Sequence, residues 1–180
     1  MFKNGKKTIA KNIFLTGFMG AGKSSLGKSL SKEKGYHFID TDKQIEKKAK
    51  MSIPDIFSTK GESYFRKLEH EVLKKICRNK NQIIALGGGT LIKKENQELV
   101  KKTGQTIYLK AYATTLELRI SNHTGTRPLV MNNTKSGRLK KIRELLKKRK
   151  RIYEKSNFVI RTDYKTKKQI ISEIKNKCQI

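Results

Sequence analysis

Short apolar runs alternate with longer stretches in which apolar residues recur every third or fourth position. The runs at 13–15, 36–39, 82–86, 106–109 and 158–161 are three to five residues long and predict buried strands. Between them, helical periodicity predicts helices over 24–34, 41–50, 62–78, 93–102, 114–121, 137–153 and 166–178. Leu26 and Leu30 share one face of the first, and Phe65, Leu68, Val72 and Ile76 form the stripe of the third. Ser52 is placed to cap a further short helix with Pro54 in its first turn. Residues 123–136, rich in Thr, Asn and Gly, predict a mobile loop. Five strands alternating with helices predict an α/β fold of three layers, α/β/α, around a five-stranded parallel sheet. Ligands of such sheets bind beyond the strand C-termini, which is where chemistry-bearing residues should be sought.

Composition narrows this picture. The 180 residues suit one domain over 11–180, with residues 1–10 expected to be a disordered basic tail. No run of 18 apolar residues predicts a membrane span, and the basic N-terminus lacks the apolar segment of a secretory signal. Cys77 and Cys178 form no CxxC pair and are read as free thiols of a cytoplasmic protein. His37, His70 and His123 show no zinc-ligand spacing.

The formal charge of +28 raises the question of nucleic acid. Of 43 basic residues 34 are Lys, spread along the chain in pairs, and only 147–151 form a dense run, with no aromatic residues interleaved for base stacking. A solvated lysine surface is the simpler reading, and nucleic acid is not an expected partner. Against that background the nine Arg residues stand out, because a guanidinium fork matches carboxylate and phosphate as an ammonium does not.

Gly17-Phe18-Met19-Gly20-Ala21-Gly22-Lys23-Ser24 matches GxxxxGK[ST] and lies between a predicted strand and a predicted helix. Glycines allow successive N–H groups to converge on a phosphate, and the helix N-terminus favours the anion. Lys23 can then reach the outer phosphates and Ser24 can ligate Mg²⁺. The second strand ends in Asp40-Thr41-Asp42, carboxylates suited to a metal-bound water and to an acceptor hydroxyl, although an acidic helix N-terminus alone would also explain them. The third strand ends in Gly87-Gly88-Gly89-Thr90, which suits close backbone approach to a ligand.

Three more features complete the pattern: Phe65-Arg66-x-x-Glu69, Arg127-Pro128-Leu129 in the loop, and Arg149 with Tyr153 at the end of a helix. In this order and spacing the motifs resemble shikimate kinase, from about residue 11 to about 174. The resemblance implies a P-loop kinase with a mobile lid that moves the γ-phosphoryl group of ATP to the 3-hydroxyl of shikimate, in aromatic amino-acid biosynthesis. It implies Mg²⁺ on Ser24 and, through water, on Asp40. It puts ATP on Gly20, Ala21, Gly22, Lys23, Ser24 and Ser25, and on the lid's Arg127. Shikimate falls to Asp42, Arg66, Gly87, Gly88, Gly89 and Arg149. Catalysis falls to Lys23, Asp42 and Arg127. The adenine-contacting Arg of the family stands seven residues before the lid Arg, where this chain has Ile120, so the contact is assigned to the neighbouring Arg119. Lys165 and Thr166, in the last strand-to-helix turn, complete the ATP set. The proline that commonly precedes the family's tyrosine is replaced here by Lys150-Arg151-Ile152. A monomer is expected. Two other readings stay open: a P-loop kinase for another acceptor such as gluconate, and a basic nucleic-acid-binding protein on a kinase fold.

Overall fold

The computed structural model describes residues 12–122 and 134–178. They form five strands, β1 (Asn12–Thr16), β2 (His37–Asp40), β3 (Gln82–Ala85), β4 (Gly104–Lys110) and β5 (Phe158–Arg161). All pairings are parallel, in the order β2-β3-β1-β4-β5. The helices are α1 (Lys23–Lys34), α2 (Thr41–Ala49), α3 (Ile53–Ile76), α4 (Lys94–Thr103), α5 (Ala113–Ser121), α6 (Lys135–Tyr153) and α7 (Lys167–Cys178).

Strand alternation builds the three layers. Ile13 and Leu15 of β1 and Ile83 of β3 pack on one face with Leu26, Leu30, Leu116, Ile120, Ile142 and Ile174. Phe14 of β1 and Ile84 of β3 point to the other face, against Ile45, Leu68, Leu73 and Val100. Helices α1, α5, α6 and α7 thus cover one side and α2, α3 and α4 the other. The central strands β1 and β3 are buried at every position, which is why they read as continuous apolar runs.

The sequence expectations for these elements hold, with three differences. In one of these, α3 runs as a single span over both predicted helices, but Gly61 (φ 79°, ψ 170°) breaks it between the expected short and long helices, and Ser52 caps the first part as expected by accepting from the Asp55 N–H at 3.2 Å. Thr90–Ile92 forms a 3₁₀ turn that the apolar pattern did not indicate. Helix α6 begins at Lys135, because the Thr134 hydroxyl accepts from the Gly137 N–H at 3.2 Å and caps it there. Lys135 and Ser136 therefore belong to the helix and not to the loop assigned to 123–136, whose residues 123–133 lie outside the described residues.

Gly104 opens β4 opposite Asn12, and a β-carbon there would overlap the Asn12 carbonyl oxygen. Gly104→Ala must push β4 away from β1 and is expected to lower the unfolding free energy by about 3 kcal/mol in a urea titration.

Candidate active site

The strand order reverses beside β1, and the loops that follow β1, β2 and β3 open there into a cavity of about 1100 Å³. That is ample for two small ligands side by side. The loop between β1 and α1 holds Gly17, Gly20 and Gly22 at φ 140°, 79° and 93°, conformations that favour glycine. Gly17 also lies against β4, where a β-carbon would sit 2.7 Å from the Leu109 carbonyl oxygen. Lys23 folds across the loop, its Nζ donating to the carbonyls of Gly17 (2.9 Å) and Phe18 (3.0 Å). The Ser24 hydroxyl donates to Asp40 Oδ2 at 2.6 Å. Asp40 also caps α2, its Oδ1 accepting from the N–H groups of Asp42 (3.2 Å) and Lys43 (3.4 Å). Asp40 is therefore the N-cap of α2, and the same side chain also reaches Ser24 at the phosphate loop.

The acceptor side is built around the glycine turn after β3. Thr41 is buried; its hydroxyl donates to the Ala85 carbonyl (3.2 Å) and accepts from the Gly87 N–H (2.9 Å), tying α2 to the turn. Asp42 lies against Gly87, where a β-carbon would stand 2.6 Å from its Oδ1. Burial raises the Asp42 pKa from its ordinary 3.8 to about 6; Lys23 opposes the rise, and Asp40, Glu69 and Glu46 add to it. Arg66 presents its guanidinium to Gly89, with both terminal nitrogens 2.9 Å from the position of a β-carbon. Arg149 is buried, its Nη1 is 3.3 Å from the corresponding point on Gly88, and its guanidinium lies 5.8 Å from the centre of the Phe18 ring. Asp42, Arg66 and Arg149 thus converge on the three glycines, beside the phosphate loop.

Glu69, Glu62 and Thr41 of this cluster carried no assigned role in the sequence. Glu69 is 2% exposed; its Oε2 accepts from Arg66 Nη1 (2.9 Å) and its Oε1 from the Thr90 hydroxyl (2.7 Å). Glu62 accepts from Arg66 Nη2 at 3.1 Å. The spacings of three and four residues from Arg66 were the available signal. Thr41 had none, because a threonine between two aspartates looks like an ordinary helix start.

At the other end of the cavity Arg119 donates to the Thr162 hydroxyl (3.1 Å) and carbonyl (2.9 Å) and lines the wall, while Ile120 is fully buried in the core. Of these two neighbours, Arg119 is the one that faces the cavity. Lys165 lines the cavity and pairs with Glu173 at 2.6 Å. Thr166 is not among the lining residues: its hydroxyl accepts from the Gln169 N–H (3.3 Å) at the start of α7, and Lys167 borders the cavity in its place. Gly20, Ala21, Gly22 and Ser25 line it as expected. Arg127 lies outside the described residues.

The family model for shikimate kinase matches residues 19–179. The chain belongs to the shikimate kinase family. A shikimate kinase from Thermodesulfovibrio yellowstonii is 42% identical over 164 residues, which are 91% of this chain and 92% of that protein. Among solved structures, shikimate kinase from Bacteroides thetaiotaomicron superposes with a TM-score of 0.89 at 28% identity, covering 94% of this chain and 99% of that one. The Acinetobacter baumannii enzyme, solved in complex with shikimate, gives a TM-score of 0.88 at 31% identity over 95% and 94% of the two chains. Membership of the shikimate kinase family accounts for the P-loop kinase fold and makes the chain an ATP-dependent kinase with a hydroxyl acceptor. Among the described residues no helix is long and apolar enough to cross a membrane.

Proposed function

We propose that this cavity binds ATP and shikimate side by side and transfers the γ-phosphoryl group of ATP to the 3-hydroxyl of shikimate. The observation that carries this reading is the convergence of two guanidinium groups, Arg66 and Arg149, and one carboxylate, Asp42, on Gly87–Gly89 within reach of the phosphate loop. Shikimate carries a carboxylate and three hydroxyls, which this set complements: forks for the acid, Asp42 for a hydroxyl.

The triphosphate rests on the backbone N–H groups of Gly20 to Ser25 at the N-terminus of α1. Lys23 leaves the carbonyls of Gly17 and Phe18 and turns to the β- and γ-phosphates, where its charge offsets the negative charge of the transition state. Arg119, Lys165 and Lys167 border the base end. The adjacent Ser24 hydroxyl and Asp40 carboxylate are hard oxygen donors that fit Mg²⁺, Ser24 directly and Asp40 through water. Once bound, the ion supplies charge neutralisation at the phosphates. Asp42 accepts a hydrogen bond from the 3-hydroxyl and takes its proton as that oxygen bonds to the γ-phosphorus. The bond from phosphorus to the β–γ bridging oxygen breaks, and ADP leaves.

The test is ADP release by purified protein with Mg²⁺-ATP, comparing shikimate, gluconate and no acceptor. Release that depends on shikimate supports the reading, and equal or greater release with gluconate overturns it. Arg66→Ala is expected to raise the KM for shikimate about tenfold to a hundredfold, the effect of losing one or two charge-assisted hydrogen bonds, with kcat within a few fold of the parent. Its melting temperature should fall as well, because buried Glu69 loses its cation. Every group named belongs to one chain, so a monomer suffices, and the reaction belongs in the cytoplasm, where its donor ATP is abundant.

A further inference from the structure

Tyr153 ends α6, one turn after Arg149, and is 2% exposed. Its ring packs on Tyr108 with centroids 5.0 Å apart. A phenylalanine would supply that packing. What the hydroxyl adds is hydrogen bonding: it donates to the Gly88 carbonyl at 2.5 Å and also meets the Arg149 guanidinium.

That carbonyl belongs to the run of three glycines after β3. Three successive glycines have little intrinsic preference for any backbone conformation, so the peptide orientations must be set by partners. Most of the turn is accounted for. The Gly87 N–H donates to Thr41, the Gly87 carbonyl accepts from the Thr90 N–H (3.1 Å), and the Gly89 carbonyl accepts from the Ile92 N–H (3.0 Å). Among the described residues the N–H groups of Gly88 and Gly89 have no protein acceptor. They flank the points where Arg149 and Arg66 approach the turn.

In a trans peptide the N–H points opposite to the preceding carbonyl. Holding the Gly88 carbonyl toward Tyr153 therefore turns the Gly89 N–H to the opposite side. If that peptide flipped, a carbonyl oxygen would replace the donor of Gly89, the glycine against which the Arg66 guanidinium lies, and it would repel a bound carboxylate. Burial raises the Tyr153 pKa above the ordinary tyrosine value and Arg149 draws it back, so the phenol remains a protonated donor at neutral pH.

We propose that Tyr153 is a positioning residue for the acceptor: its hydroxyl locks the Gly88–Gly89 peptide so that a backbone donor, and not a carbonyl, completes the anion site made by Arg66 and Arg149. This rests on the reading of the cavity given above and adds a residue to it that need not touch the substrate.

The experiment compares steady-state kinetics of the parent, Tyr153→Phe and Tyr108→Phe. Tyr153→Phe is expected to raise the KM for shikimate about tenfold, the usual worth of one hydrogen bond, with kcat and the KM for ATP within about twofold. Tyr108→Phe, altered at the other ring of the pair, should leave all three unchanged. An unchanged shikimate KM in Tyr153→Phe, or an equal rise in the KM for ATP, overturns the proposal. If Tyr153→Phe does not fold, 3,5-difluorotyrosine at position 153 keeps the ring and lowers the phenol pKa. Its shikimate KM should then rise with pH at lower pH than the parent's, and coincident profiles overturn the proposal. If the parent itself releases no ADP with shikimate, the reading of the cavity fails first and this inference falls with it. If the parent is active and Tyr153→Phe matches it, only the role of Tyr153 is lost.

Discussion

Lys23→Ala will lower kcat/KM for ATP by about a thousandfold, the scale of removing one preorganised charge from a developing anion. Lys23 is the cation that belongs to the phosphate loop itself, and its two hydrogen bonds to the Gly17 and Phe18 carbonyls keep it across the loop mouth before the nucleotide arrives. The substitution also carries an internal check. Lys23 is the group that holds the Asp42 pKa down against burial. Its loss should move the acid limb of the residual activity to higher pH than in the parent. A Lys23→Ala enzyme with parental turnover, measured by ADP release, would remove the phosphate loop from the mechanism.

Asp42→Asn should lower kcat by about a hundredfold to ten-thousandfold, the range for a lost general base, while the KM for ATP stays close to parental. The accompanying pH behaviour identifies the group. Asp42 has a pKa of about 6 in the folded chain against an ordinary 3.8. The ionised form is the one that accepts a proton, so parental kcat/KM for shikimate should fall as pH drops through about 6, and Asp42→Asn should lose that limb. Stability runs the other way. The folded state holds this proton more tightly than the unfolded state does, so the contribution of Asp42 to stability is full below about 4 and is lost as pH rises through about 6. Above pH 6 the Asn variant should therefore melt higher than the parent, by about 5 °C. A variant that is slower but melts lower at pH 7 would mean that the carboxylate is held by contacts more favourable than its desolvation.

Much of the site was legible because its residues lie at fixed offsets from strand ends. The phosphate loop, the Asp40–Asp42 turn and the glycine turn each begin at a strand end or within two residues of it, and parallel strands deliver all three to the same edge of the sheet. Arg66 and Arg149 were harder, since a charged residue on a helix usually faces water. Position in the chain did not separate Arg66, tucked beneath Gly89, from Lys67 beside it on an outer face. Arg119 shows the limit of counting: the family offset points to Ile120, and only the way α5 packs decides that Ile120 enters the core and Arg119 turns to Thr162.

The sequence alone determined the alternation of strand and helix, the parallel sheet, the phosphate loop and the kind of ligand it holds, because these depend on local periodicity and on backbone demands that only glycine meets. Tertiary structure decided which polar side chains leave solvent. Thr41 on Gly87, Glu69 between Arg66 and Thr90, and Tyr153 on Gly88 are contacts across 46, 21 and 65 residues. No pattern along the chain encodes them, since each arises from the desolvation of a polar group that must then find a partner in another element.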